Sequence, residues 1–168
     1  MKTIYILAAL LWTSSIAYAQ TSSLPYTDLK TLDGISIDSD DIIKSGTTTM
    51  LVFWKSTSNK CDDNLESLQE LWLDSLKENG VHMVSVCVDA IGSYSHIKPH
   101  VDGNGWDFDT YIDTNGDFRR ALGVNEFPCT ILLDNGHNQV ARYEGFPAVS
   151  EDLLYHITLN NPIAYLEK

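Results

Sequence analysis

Thr48-Thr49-Met50-Leu51-Val52-Phe53-Trp54-Lys55-Ser56-Thr57-Ser58-Asn59-Lys60-Cys61 decides the fold of this chain. Thr48 to Trp54 is an unbroken apolar and β-branched run, the pattern of a strand covered on both faces. A short polar bend follows. From Cys61 to Glu78, Leu65, Leu68, Trp72 and Leu76 recur at helical spacing and Asn79-Gly80 supplies a stop, so the strand feeds a helix. Ser58 is a preferred N-cap residue. Cys61 then falls in the first turn, where a cysteine is either a small buried hydrophobe or a thiol at the positive end of the helix.

The pattern extends outward from there. Val81 to Val88 reads as a second buried strand, Ser93 to Val101 as a helix interrupted by Pro99, and Trp106 to Ile112 as a third strand. Asp113-Thr114-Asn115-Gly116 is a turn into a short helix, Gly116 to Leu122. Pro128 to Leu133 and Gln139 to Glu144 flank Asp134-Asn135-Gly136 as a hairpin, which requires antiparallel neighbours. Ser150 caps a final amphipathic helix to Leu159. Ahead of the central strand, Leu29 to Thr31 and Ile35 to Ile37 flank Asp33-Gly34 as a small hairpin. The order predicts an α/β fold with a mixed central sheet flanked by helices.

The chain has 168 residues, 43% of them hydrophobic, enough for one domain with a sizeable core. Its first 19 residues stand apart. Lys2 is a short positive region, Ile4 to Trp12 an apolar core and Ala17-Tyr18-Ala19 a cleavage site, the pattern of a secretory signal peptide. We therefore expect cleavage after Ala19, a domain over residues 20–168, and a protein of the periplasm or the extracellular space. No window reaches the roughly 18 apolar residues of a membrane span. Export places Cys61, Cys87 and Cys129 where disulfides persist, and an odd count leaves one thiol outside any internal bridge. Spacing alone leaves all three pairings open.

The formal net charge is −12, one unit more negative once Lys2 leaves with the leader, which argues against nucleic acid and anionic lipid as partners. Asp113-Thr114-Asn115-Gly116-Asp117 opens like a calcium loop, but the glycine and glutamate positions that follow fall on Phe118 and Val124. His96 and His100 are four apart and lack a third ligand nearby. No phosphate-binding or nucleophile-elbow motif is present, and no tightly bound cofactor is expected.

Taken in order, these residues resemble the thioredoxin fold, most closely its TlpA-like or redoxin branch, from about Leu24 to about Leu159. Leu29-Lys30-Thr31-Leu32-Asp33-Gly34 is similar to that branch's N-terminal hairpin, Leu51-Val52-Phe53-Trp54 to its strand before the redox motif, and Asn104-Gly105-Trp106 to the approach to its next strand. Gly123-Val124-Asn125-Glu126-Phe127-Pro128-Cys129-Thr130 resembles its G-V-x-x-x-P-T segment. The resemblance implies a cis Pro128 that presents the backbone of Phe127 to an extended substrate, with Trp54 packed beside the site.

The departures from the family pattern are equally specific. A C-x-x-C pair works by attack of one thiolate and resolution by the second thiol. Here Ser58 replaces the attacking cysteine, Lys60 the usual proline, and Val52 a buried acid. Asp62-Asp63 oppose a thiolate at Cys61, and Lys60 offsets them in part. The resemblance implies thiol–disulfide exchange on exported or envelope proteins, served by a thiol reductant. Cys61 would be the remaining redox thiol, Cys129 its partner across the start of the next strand, and Ser58 a helix cap and donor to Cys61. Cys87 would be a core residue.

If active, the protein would be a thiol–disulfide oxidoreductase with a non-standard cysteine arrangement. The alternative is an inactive thioredoxin-fold module that binds a partner chain beside Trp54, Phe127 and Pro128. A peroxidase of the T-x-x-C type would further need a proline where Trp54 stands and an arginine where Pro128 stands.

Overall fold

Strand β3 (Thr49–Trp54) lies at the centre of the sheet, and all six of its residues are buried. The computed structural model describes residues 24–89, 94–145 and 149–160; the leader read in 1–19 and the helix start at Ser93 lie outside them. On one side β3 pairs in parallel with β4 (His82–Cys87), and on the other it pairs antiparallel with β6 (Cys129–Leu133). With β1 (Asp28–Thr31), β2 (Ser36–Asp38), β5 (Asp109–Ile112) and β7 (Gln139–Glu144), the order is β2-β1-β5-β4-β3-β6-β7. The mixed sheet and both hairpins stand as the sequence implied.

Side chains of a strand alternate between faces, so a strand buried on both sides builds two cores. Met50, Val52 and Trp54 join Met83, Cys87, Ile112 and Leu132 in one layer. It is covered by Cys61, Leu65 and Leu68 of α1 (Asn59–Leu71), Ile97 and Val101 of α2 (Tyr94–Asn104), and Leu153 and Ile157 of α4 (Glu151–Asn160). Leu51 and Phe53 join Val84, Val86, Cys129 and Ile131 in the other. That layer is covered by Ile42, Ile43, Val124 and Phe118 of α3 (Asp117–Ala121), with Phe118 against Phe53 at 5.5 Å between ring centres.

Three elements differ from the sequence reading. The helix expected to run to Glu78 is α-helical only to Leu71 and continues as one wider π turn, Trp72–Leu76. There the Trp72 indole N–H donates to the Val81 carbonyl at 2.8 Å, fixing the helix end to the start of β4. Helix α2 runs through Pro99 to Asn104, because Ile97 and Val101 are buried one turn apart and their packing outweighs one missing donor. The third strand pairs only from Asp109; Trp106 and Phe108 are buried ahead of it without joining the ladder.

Two turns show their chemistry directly. Gly116 takes a left-handed φ of 70°, and the Asp113 carboxylate accepts the N–H groups of Phe118 (3.3 Å) and Arg119 (2.9 Å), which starts α3. The calcium-like spacing is thus a strand-to-helix turn. Ser150 Oγ accepts from the Leu153 N–H at 3.1 Å, the expected cap of α4.

At the opposite end of the strands from the β3–α1 connection lies a cleft of about 360 Å³, lined in part by Lys44, Trp72, Lys77, His82, Asp107 and Asp109. Its charges are paired among themselves: His82 Nε2 and Lys44 Nζ lie 2.8 and 3.6 Å from the same Asp109 oxygen, and Lys77 lies 2.9 Å from Asp107. The hydrogen bond from His82 holds the Asp109 carboxyl below its ordinary value of 3.8, against partial burial, with the charges of His82 and Lys44 adding to the effect. A depressed carboxyl stabilises the fold above its unfolded value and loses that contribution as pH falls through its folded one. We predict that wild type is more stable than Asp109→Asn in urea titrations above pH 3.8, and that this margin closes on further acidification.

Candidate functional site

Only Lys55 to Ser58 separate the end of β3 from the start of α1, at the edge of the sheet where the parallel strands end. Asp89, just past β4 and 8% exposed, accepts the Ser56 backbone N–H at 3.2 Å and the Ser56 hydroxyl. The Lys55 ammonium sits 4.7 Å from the centre of the Phe127 ring, so the connection is also tied to the segment before Pro128. Neither Ser56 nor Asp89 stands out in the sequence, because their pairing spans 33 residues.

Ser58 occupies the N-cap position with extended backbone, and its carbonyl accepts the N–H groups of Cys61 (2.8 Å) and Asp62 (3.2 Å). Its hydroxyl makes no capping hydrogen bond, so the side-chain cap read from the sequence is not formed. Cys61, the third residue of α1, has no exposed surface. Trp54, equally buried, meets Trp106 edge-on at 5.2 Å and stacks on His100 at 5.7 Å. His100 Nε2 lies 3.0 Å from Asp62 Oδ1, joining α2 to the first turn of α1. Among the described residues, the Trp54 indole N–H and both amide atoms of Asn64, which is buried on the next turn after Cys61, find no hydrogen-bond partner.

The Phe127–Pro128 peptide is cis, as the resemblance implied. Pro128 is buried, and the half-buried Phe127 packs against both cores, so it lies at the sheet edge between the two layers.

All three cysteines are buried free thiols. The structure does not bring Cys61 and Cys129 together: Cys129 pairs with Phe53 and points into the α3 layer, whereas Cys61 lies with Trp54 in the α1 layer. Cys87, opposite Trp54 on β4, shares the layer of Cys61. Burial pushes the Cys87 thiol up to about 12; the backbone N–H groups of Asp89 and Ser56 pull the other way, and the Asp89 charge adds to the rise. Burial likewise raises Cys129 to about 11, with Arg142 opposing and Glu144 reinforcing it. Thiols so raised are protonated at neutral pH and are poor nucleophiles.

Among the described residues no group of three or more histidine, cysteine, aspartate or glutamate side chains is placed to hold a metal ion. No described helix is long and apolar enough to cross a membrane. His96 is exposed, while His100 is engaged with Asp62 and Trp54. The sequence offered His100 only as half of a histidine pair, since its real partner lies 38 positions away.

Residues 46–140 match the model of a family described as thioredoxin-like. No curated protein matches the chain. Among solved structures, an uncharacterized thioredoxin-like protein from Porphyromonas gingivalis is similar over 86% of this chain and 94% of its own, at 27% identity and a TM-score of 0.70. A thiol-disulfide oxidoreductase from Bacteroides fragilis is similar at 18% identity over 79% of this chain and 98% of its own, with a TM-score of 0.64. A secreted disulfide oxidoreductase from Mycobacterium tuberculosis, also 18% identical, is similar over 79% and 95%, with a TM-score of 0.62. At that identity the last two bear on the fold.

From the raised thiols we predict that alkylation of the native protein near neutral pH leaves Cys87 and Cys129 unmodified until denaturant is added. Peptide mass mapping checks this, and rapid native labelling of either would contradict the burial described.

Proposed function

The chain belongs to the thioredoxin-like family, and on that footing we propose that it is an exported protein handling thiols and disulfides of envelope proteins, with Cys61 as its redox thiol. Export rests on the leader at 1–19 with cleavage after Ala19. The observation that carries the reading is the position of Cys61 in the N-terminal turn of α1, at the carboxyl end of the central strand. A helix N-terminus favours negative charge, the form in which a thiol attacks.

The chemistry follows from having one thiol in the motif. The Cys61 thiolate attacks a disulfide of the partner protein; the partner's S–S bond breaks, a Cys61–S bond forms, and the released sulfur leaves as a thiolate that takes a proton. With Ser58 in place of a second motif cysteine, resolution falls to a thiol of the partner or of a reductant, which attacks the mixed disulfide and returns Cys61 as thiolate. Cys129 would serve as resolving thiol only after moving around the sheet edge. Phe127 and the Pro128 segment form the face presented to the partner, and Trp54 is the buried floor beside the thiol.

A second reading is favoured by one observation: no thiol in the site has exposed surface. In that reading the same face binds a partner chain with no exchange, through the ring of Phe127 and the backbone beside it.

One variant separates the readings, and a second tests the face they share. Cys61→Ser is expected to abolish insulin reduction and mixed-disulfide trapping; a wild type inactive in both assays would leave the binding module as the function. Phe127→Ala is expected to weaken a captured partner peptide about five- to thirtyfold, the loss of roughly 1–2 kcal/mol typical of an aromatic contact, in either reading. Fluorescence titration with that peptide measures it, and unchanged affinity would remove Phe127 from the face.

A further inference from the structure

A carboxylate sits directly after the site's thiol, and the structure shows where its charge goes. Asp62 follows Cys61 in the first turn of α1 and turns toward α2, where its Oδ1 lies 3.0 Å from His100 Nε2. Both side chains are about three-quarters buried, at 26% and 28% exposure, so the contact is far less screened than a surface pair. The imidazole is itself held in place. It stacks on Trp54 at 5.7 Å and 27°, and lies against the edge of Trp106 at 5.5 Å. Trp54 in turn packs in the same buried layer as Cys61. One ring thus touches the floor of the site and fixes the carboxylate that competes with the thiolate.

We propose that His100 is a positioning residue for Cys61: it holds and offsets the Asp62 carboxylate on the α2 side, so that the first turn of α1 can accommodate a thiolate. This deepens the reading of Cys61 as the redox thiol and rests on it. An unpaired Asp62 would put a full negative charge one residue from the sulfur and would itself compete for the N–H groups of the helix end. Donation from His100 engages one of its oxygens and draws it toward α2. The other charged or titratable groups of the elements that meet here are Lys60, Asp63, Glu66 and Glu70 on α1, His96, Lys98 and Asp102 on α2, Lys55 on the connection and Asp89 after β4. Glu66, Glu70, His96 and Asp102 are exposed, and Lys98 lies 3.5 Å from Asp33. Lys60 and Asp63 are exposed, Lys55 lies over Phe127 and Asp89 is bonded to Ser56, so none takes the place of His100.

The test separates charge from packing. His100→Phe keeps an aromatic ring for Trp54 and removes the donor; Asp62→Asn removes the charge; the double variant removes both. Each is made in the full chain, and the ultraviolet absorbance of the Cys61 thiolate is followed against pH, with the matching Cys61→Ser protein subtracted. His100→Phe is expected to move thiolate formation up by roughly 0.5–1 pH unit, about a three- to tenfold loss of thiolate at fixed pH. Asp62→Asn is expected to move it down. In the Asp62→Asn background, His100→Phe should have no further effect; with Asp62 present, His100→Gln, which retains a donor, should shift thiolate formation less than His100→Phe does.

An unchanged titration in His100→Phe would overturn the proposal. So would an equal shift with and without Asp62, which would assign the effect to packing. Because the titration needs no turnover, a protein inactive toward insulin that still shows these shifts refutes the redox reading and supports the pairing.

Discussion

The parity of β3 governs this molecule. A strand buried on both faces must send alternate side chains to opposite sides, and each large side chain so buried contributes roughly 2 kcal/mol. Slipping its register by one residue would exchange Trp54 with Phe53 and leave both layers mismatched, so the register is held by both cores at once. The same parity passes across the hydrogen bonds to its neighbours. Trp54 is opposite Cys87 and Phe53 opposite Cys129, and this sorts the three thiols between layers before any question of reactivity arises.

That sorting bears on what kind of site this is. Helix α1 with Cys61 in its first turn, the cis Phe127–Pro128 peptide and the buried Trp54 meet at one end of the sheet, Ser58 stands at the N-cap, and Cys87 and Cys129 sit in core positions with their protons held tightly. What distinguishes the site electrostatically is a carboxylate beside the thiol and an imidazole answering it from another helix. On the proposed redox reading, reactivity at Cys61 would depend on contacts between elements far apart in the chain as well as on the motif itself.

Much of this was legible from residues alone because it is local. Alternation and helical spacing marked the strands and helices; Asp33-Gly34 and Asp134-Asn135-Gly136 marked the hairpins; and Ser150 signalled its cap, which its hydroxyl makes. The segment around Pro128 announced the cis bond through its family pattern. What stayed hidden depends on three-dimensional partners. Cys129 looked like a neighbour of Cys61 because sequence adjacency to Pro128 places its backbone near the motif, yet side-chain direction, set by strand parity, carries its sulfur to the other layer. Ser58 has the right residue type and position for a cap, but its carbonyl rather than its hydroxyl closes the turn. His100 and Asp89 are ordinary polar residues until α2 and β4 carry them to the motif.

The clamp on the connection between β3 and α1 has a thermodynamic consequence of its own. Asp89 holds Ser56 through backbone and hydroxyl, and Lys55 is laid over Phe127, so a segment of four residues is anchored from below and from the side. A free loop would lose conformational entropy when a partner docks on it, roughly 1–2 kcal/mol for each residue ordered. Here that ordering belongs to the folding of the domain and not to the encounter. Any partner chain bound at this edge, as proposed, would meet a surface already in shape, and its affinity would be set by the complementarity it brings.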